Sequence, residues 1–237
     1  MDTLNIYACG GDTVIIVGGI GEDQIESGSA EIIKNAPLSV QAGFVRSTEI
    51  QIPRSECAAE LFSADCSLCF GKYLHALSGE KEELSLSASG LQVPFRWQQK
   101  EDNTCSLVLA GRAKSDLSGA VPCVSFGNCA YFFSETEPAE SAQEMLQQLS
   151  QTRSERCCAL LSINEAHITP YFVQKCGATA GFSAGSAAIA LAFFESETKR
   201  DFFQKTYRFP KGERQVEIKR FLSEAFDCTL TAKVEEK

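Results

Sequence analysis

Ser183 stands where a glycine-bearing turn, Cys176-Gly177-Ala178-Thr179-Ala180-Gly181, hands the chain to an uncharged run from Ala184 to Phe194. Alanine and leucine favour a helix over that run, and its all-round apolarity marks the helix as buried. The residues before the turn, with Tyr171, Phe172 and Val173 among them, have the β-branched and aromatic character of a strand. Strand, turn and buried helix start make an anion site, because free backbone N–H groups and the helix dipole point at whatever sits there. Ser183 is then either the helix N-cap, a role serine favours, or a reactive hydroxyl. A second pair, Cys66 and Cys69 in Cys66-Ser67-Leu68-Cys69, has redox or zinc spacing. A zinc site needs four ligands, and neither His75 nor His167 sits in a ligand motif, so no metal is expected. No local motif supports a Ser/His or Cys/His triad.

Composition narrows the classes. The chain has 237 residues, 44% of them hydrophobic, enough for one large core or two smaller ones. The net charge of −9 and the scattered lysines and arginines speak against nucleic acid as a partner. No apolar run reaches the roughly 20 residues that span a bilayer, so no membrane is expected. The start, Met1-Asp2-Thr3-Leu4-Asn5, lacks a basic segment followed by an apolar one, and a cytoplasmic location is expected. Eleven cysteines in such a chain read as reduced, mostly buried thiols.

Stepping along the chain, strands are expected at Leu4–Ala8 and Thr13–Val17 around the turn Cys9-Gly10-Gly11-Asp12, with a short helix at Glu26–Lys34. An alternating strand follows at Gly43–Ile52, then an apolar helix at Phe70–Leu77. Glu82–Gly90 and Gln92–Gln98 form a hairpin, with Cys105–Ala110 as its third strand. Val121–Phe133 reads as two strands meeting at Gly127-Asn128, Pro138–Ser150 as a polar helix, and Cys157–Ile163 as a strand. Lys205–Phe209, Val216–Lys219 and Asp227–Val234 close the chain as strands.

A repeat runs through this order. Gly10-Gly11-Asp12 and Gly127-Asn128 are both tight turns that lead into apolar strands, and later in each half a strand runs into an apolar helix. The spacing from Asp12 to Asn128 nearly equals that from Cys66 or Cys69 to Ser183. An α+β fold follows, with two pseudo-symmetric β-rich halves, 1–111 and 112–237, each wrapped around a central helix. Two helix N-termini would then face one cleft, a common setting for a small-molecule site.

On these residues the chain resembles the diaminopimelate epimerase family. Ile168–Ile189 is similar to the family's second active-site segment, with Gln174-Lys175 in place of Glu-Arg and Ser183 in place of the catalytic cysteine. Ala184–Ala188, Ala-Gly-Ser-Ala-Ala, is also similar to the Thr-Gly-Ser-Ala-Ala of the phenazine-biosynthesis isomerase family, which shares that fold. Ala58–Cys69 resembles the family's Phe-Asn-Ala-Asp-Gly-Ser followed by Cys-Gly-Asn-Gly, with Ser63 for the asparagine and residues missing between the motifs. Depending on where that deletion falls, Cys69, Cys66 or neither takes the catalytic place.

The resemblance implies a cofactor-independent isomerase (a racemase, epimerase or proton-shifting enzyme) acting on a small amino acid or carboxylate by two-sided proton transfer. Cys69, Cys66 and Ser183 are its implied catalytic residues, with Asn128, Lys175, Asp12 and Gly185 binding substrate. Ser183 and one cysteine are then expected roughly 6–8 Å apart, with one tetrahedral carbon between them. Gly11 and Cys157-Cys158-Ala159 replace the family's substrate amides, which argues against diaminopimelate itself. No cofactor is expected, and a second copy of the chain is a candidate partner. The alternative is a divergent, catalytically inactive relative acting as a ligand-binding or interaction protein.

Overall fold

Two tight hairpins set the pattern. β1 (Thr3–Cys9) and β2 (Asp12–Gly18) join at Gly10-Gly11, with φ of 46° and 89°; β9 (Cys123–Phe126) and β10 (Cys129–Ser134) join at Gly127-Asn128, with φ of 58° and 63°. Positive φ at both central residues is what a two-residue hairpin on twisted strands requires. The computed structural model describes residues 3–19, 40–51, 61–79, 83–101, 103–135, 142–155, 157–165, 167–174, 182–197, 202–221 and 224–237. The expected helix over 26–34 lies outside them.

Each hairpin opens the same sequence of pairings. β2 runs parallel to β3 (Val40–Arg46), and β10 runs parallel to β11 (Cys157–Asn164). β3 turns back as β4 (Glu49–Gln51), and β11 as β12 (His167–Gln174). The central helices follow, α1 (Ala64–Ser78) in the first half and, after the outer helix α2 (Ala142–Gln151), α3 (Ala184–Ser196) in the second. β4 then pairs in parallel with β5 (Glu83–Ala88), and β12 with β13 (Phe203–Phe209). Antiparallel strands complete each half, β6 (Phe95–Gln99) and β7 (Thr104–Arg112) against β14 (Gly212–Arg220) and β15 (Ala225–Glu236). β7 and β15 pair from Arg112–Ala225 to Thr104–Lys233, which zips the halves into one sheet of fifteen strands.

The hydrophobic pattern explains where the helices sit. α3 is buried at every position from Ala184 to Phe193, so it has no solvent face to keep polar. α1 buries its first half, Ala64–Gly71, and exposes its end. Gly71 is required there: a Cβ would stand 2.2 Å from the Trp97 ring, whose Nε1 donates to Leu68 O at 3.0 Å. On β10 and β11 the alternation serves two cores. Tyr131, Phe133, Cys157, Ala159 and Leu161 face the central helices, while Ala130, Phe132, Cys158 and Leu160 pack with Ala142 and Leu146 of α2.

Three expectations change. The single strand over 43–52 is two, because Ser47 takes a φ of 56° and turns the chain between Arg46 and Glu49. α1 starts at Ala64 instead of Phe70, because Ser63 Oγ accepts from Cys66 N at 3.1 Å and caps it. The short edge strand β8 (Lys114–Asp116), paired with β9, lies where no strand was expected.

Candidate active site

The two central helices meet at their N-termini. Ser183 caps α3 by accepting from Ser186 N at 3.2 Å, as Ser63 caps α1. The helices also cap each other: Ala64 N donates to Ser186 Oγ at 3.0 Å, Asp65 N to Ser183 Oγ at 3.5 Å, and Ser186 Oγ to Phe62 O at 3.3 Å. Close approach is possible because position 185 is glycine; a Cβ there would lie 2.8 Å from Asp65 Oδ1 and 3.2 Å from Ala64 Cβ.

Asp65 fills the junction. Its carboxylate is fully buried and accepts from Arg214 Nε at 2.9 Å, Ser183 Oγ at 3.0 Å, Gly185 N at 3.0 Å, Gln41 Nε2 at 3.3 Å and Cys9 Sγ at 3.4 Å. Burial opposes its ionisation, but the Arg214 guanidinium, the Gly185 N–H and the Ser183 hydroxyl outweigh that and hold its pKa below the usual carboxylate range. Arg214 is itself buried, which lowers its pKa, but Asp65, Cys9 and Asp12 together outweigh the burial and raise it. Its other nitrogens bond Cys9 O at 2.7 Å, Glu213 O at 3.1 Å and Gly10 O at 3.4 Å, and reach Asp12 Oδ2 at 3.3 Å. One guanidinium thus ties β14 to the β1–β2 turn and to the start of α1.

The two cysteines are buried within α1. With Ser63 as the cap, Cys66 and Cys69 lie inside the first two turns of α1, both fully buried. Burial pushes both thiol pKa values well up, against the lowering effect of Ser63 on Cys66, and Cys69 is raised further by Cys9. A thiol at the cap would gain from the helix dipole; these sit three and six residues past Ser63, and desolvation wins. The group in direct hydrogen bond with Ser183 is the Asp65 carboxylate.

The substrate-binding set separates as well. Gly185 supplies its N–H to Asp65, and Asp12 holds Arg214 and, at 3.5 Å, Lys211. Burial and the neighbouring Asp65 raise the pKa of Asp12, against the pull of those two cations. Asn128 lines a groove of about 660 Å³ whose walls include neither Asp65 nor Ser183. Lys175 and Cys176 lie outside the described residues.

Three residues of the junction were not singled out from sequence. Asp65 had a signal, being the one charge within the apolar stretch Leu61–Phe70. Gln41 and Arg214 had none, since only the folded sheet brings them to Asp65. Among the described residues no group of three or more His, Cys, Asp or Glu is placed to hold a metal ion. The described cysteines are all free thiols, and no described helix is long and apolar enough to cross a membrane.

No protein-family model matches the chain, and no curated protein matches it in sequence. Solved structures do match, over nearly the full length. A phenazine biosynthesis protein of the PhzF family from Bacillus anthracis aligns with a TM-score of 0.64 and 12% identity, over 98% of this chain and 96% of its own. A Pseudomonas aeruginosa protein named as a predicted epimerase aligns with a TM-score of 0.60 and 14% identity, over 98% and 97%. A methylitaconate-delta-isomerase aligns with a TM-score of 0.53 and 9% identity, over 99% and 93%. At these identities the likeness establishes architecture, and it agrees with the paired hairpins and opposed helices: the chain has the diaminopimelate epimerase-like fold.

Proposed function

We propose that this chain is a cofactor-independent isomerase that moves a proton on a small carboxylate, with Asp65 as its acid–base group. One observation carries the reading: a buried carboxylate paired with Arg214 stands where two helix N-termini meet, in a fold shared with proteins named as a predicted epimerase and an isomerase. A buried acid with a shifted pKa and a specific cation partner is a candidate functional group on physical grounds.

In the reaction, Asp65 takes a proton from the carbon beside the substrate's carboxylate. The C–H electron pair moves into that carboxylate as an enediolate, and the helix dipoles favour the added charge. The same Asp65 then returns the proton to a carbon further along, which shifts a double bond. One acid serves such a shift, whereas inversion needs a second proton carrier on the opposite face; Ser183 is a poor one without an activating base. Arg214 is a positioning residue, since its donors are spent on Asp65, the β1–β2 turn and Glu213. Substrate must take the place that Ser183 Oγ holds on Asp65. The halves, read as 1–111 and 112–237, are proposed as the two walls of the site.

A second reading is favoured by the same bonds. The N–H groups of Ala64, Asp65 and Cys66 at one helix start and of Gly185 and Ser186 at the other have acceptors within the chain, and Asp65 is fully buried. The internal carboxylate then stands in for a substrate's, and the chain is an inactive relative that binds or interacts elsewhere. Solvent deuterium separates the two: with the isomerase, a small unsaturated acid loses the proton beside its carboxylate and, once Asp65 exchanges with solvent, gains deuterium at the carbon that is reprotonated, and with the inactive relative it does neither.

A further inference from the structure

We infer that the groove of about 660 Å³ at the Arg112–Ala225 end of the β7–β15 seam is a binding site for a zwitterionic α-amino acid with an apolar side chain. The ladder places Arg112 opposite Ala225 and Ala110 opposite Asp227. Arg112 and Asp227 therefore lie on one face of the sheet as diagonal neighbours, roughly 7–8 Å apart at the backbone. Both line the groove, both are exposed, and among the described residues neither has an ion pair or side-chain hydrogen bond. Opposite charges left open at that spacing suit a ligand that carries its own ammonium and carboxylate one carbon apart.

A further feature fits the same ligand. The groove is also lined by Val93 and Phe221, 47% and 53% exposed, over the buried rings of Phe126 and Phe226. Large apolar side chains left open beside unpaired charges leave room for a ligand's apolar side chain.

The test is calorimetric titration of the full chain with L-phenylalanine. Saturable binding is expected, weakened roughly tenfold or more by Arg112→Gln and by Asp227→Asn, since each removes a charged contact. Phenethylamine and 3-phenylpropionate, which lack one charge each, should bind weaker by a similar factor. Both substitutions are at exposed positions, so folding is not at stake. Absence of binding at about 10 mM ligand, binding that survives both substitutions, or self-association through this face in place of ligand binding overturns the inference. Failure of the isomerase reading has a separate signature, absence of deuterium exchange, and leaves this binding unchanged.

Discussion

Ser183 Oγ donates to Asp65 Oδ2 at 3.0 Å, so the cap of one central helix is held by the acid that opens the other. Ser183 also accepts from Ser186 N and Asp65 N, which leaves its hydroxyl committed to three partners. In the sequence these positions are far apart, and only the pseudo-symmetric pairing of the halves brings them together. Chemistry at the junction therefore starts from a group that is already bound.

Arg214 is expected to matter more for folding than any other single cation. Arg214→Met leaves Asp65 as a buried carboxylate without its counter-charge, a loss of about 3–5 kcal/mol. Urea unfolding should show that loss. Asp65→Leu combined with Arg214→Met should cost less than the two single changes added, because the pair is removed together.

Acid stability should change sign with the same substitution. The Asp65 pKa is depressed, so its stabilisation is whole above the unfolded value of about 3.9 and is lost as pH falls through the lower folded value. In Arg214→Met burial dominates and the folded pKa rises above the unfolded one. Stability from this group is then present below about pH 4 and declines as pH rises. Unfolding midpoints measured from pH 3 to 7, roughly spanning these carboxylate values, should slope in opposite directions for the two proteins.

Gly185→Ala tests how tightly the helix starts meet. Its Cβ would meet Asp65 Oδ1 at 2.8 Å, Leu230 Cδ2 at 2.9 Å and Ala64 Cβ at 3.2 Å, with α3 fixed on all sides. Overpacking of this kind costs about 1–3 kcal/mol. A lowered melting temperature is expected, whereas Gly79→Ala, with open space around it, should be limited to the strain of its φ of 72°.

Cys66 and Cys69 should behave as inert thiols. Burial holds both pKa values high, so neither should show thiolate absorbance near neutral pH, and both should resist a thiol reagent until the protein unfolds. Cys66→Ala and Cys69→Ala should leave any deuterium exchange in place.

Much of the architecture was legible in the residues. Glycine and asparagine at the two hairpin turns, the alternation on the closing strands and the uncharged run from Ala184 to Phe194 each have a single local reading. Their repetition gave the two halves. The site was legible only in part. Ser183 announces a cap, but Ser63 aligns with the family's asparagine, and the apolar pattern starts the expected helix only at Phe70, six residues after Ala64. That shift turned two buried thiols into apparent cap residues and hid Asp65 beside them. Arg214 gave no local sign, because an arginine alternating with Glu213 and Gln215 on a strand looks like a solvated face. Its burial is a property of the sheet closing over the β1–β2 turn.

The central claim, proton transfer by Asp65, is tested most directly by incubating the full chain in deuterium oxide with a panel of small β,γ-unsaturated carboxylates and α-amino acids, and following the C–H signals by NMR. With wild-type protein at least one compound should exchange the proton beside its carboxylate, faster for the unsaturated acids than for the amino acids. Asp65→Asn should abolish that exchange, while Cys66→Ala and Cys69→Ala keep it. Exchange that persists in Asp65→Asn, or that is absent across the panel with the wild-type protein folded, contradicts the claim and leaves the junction as a structural pair of helix caps.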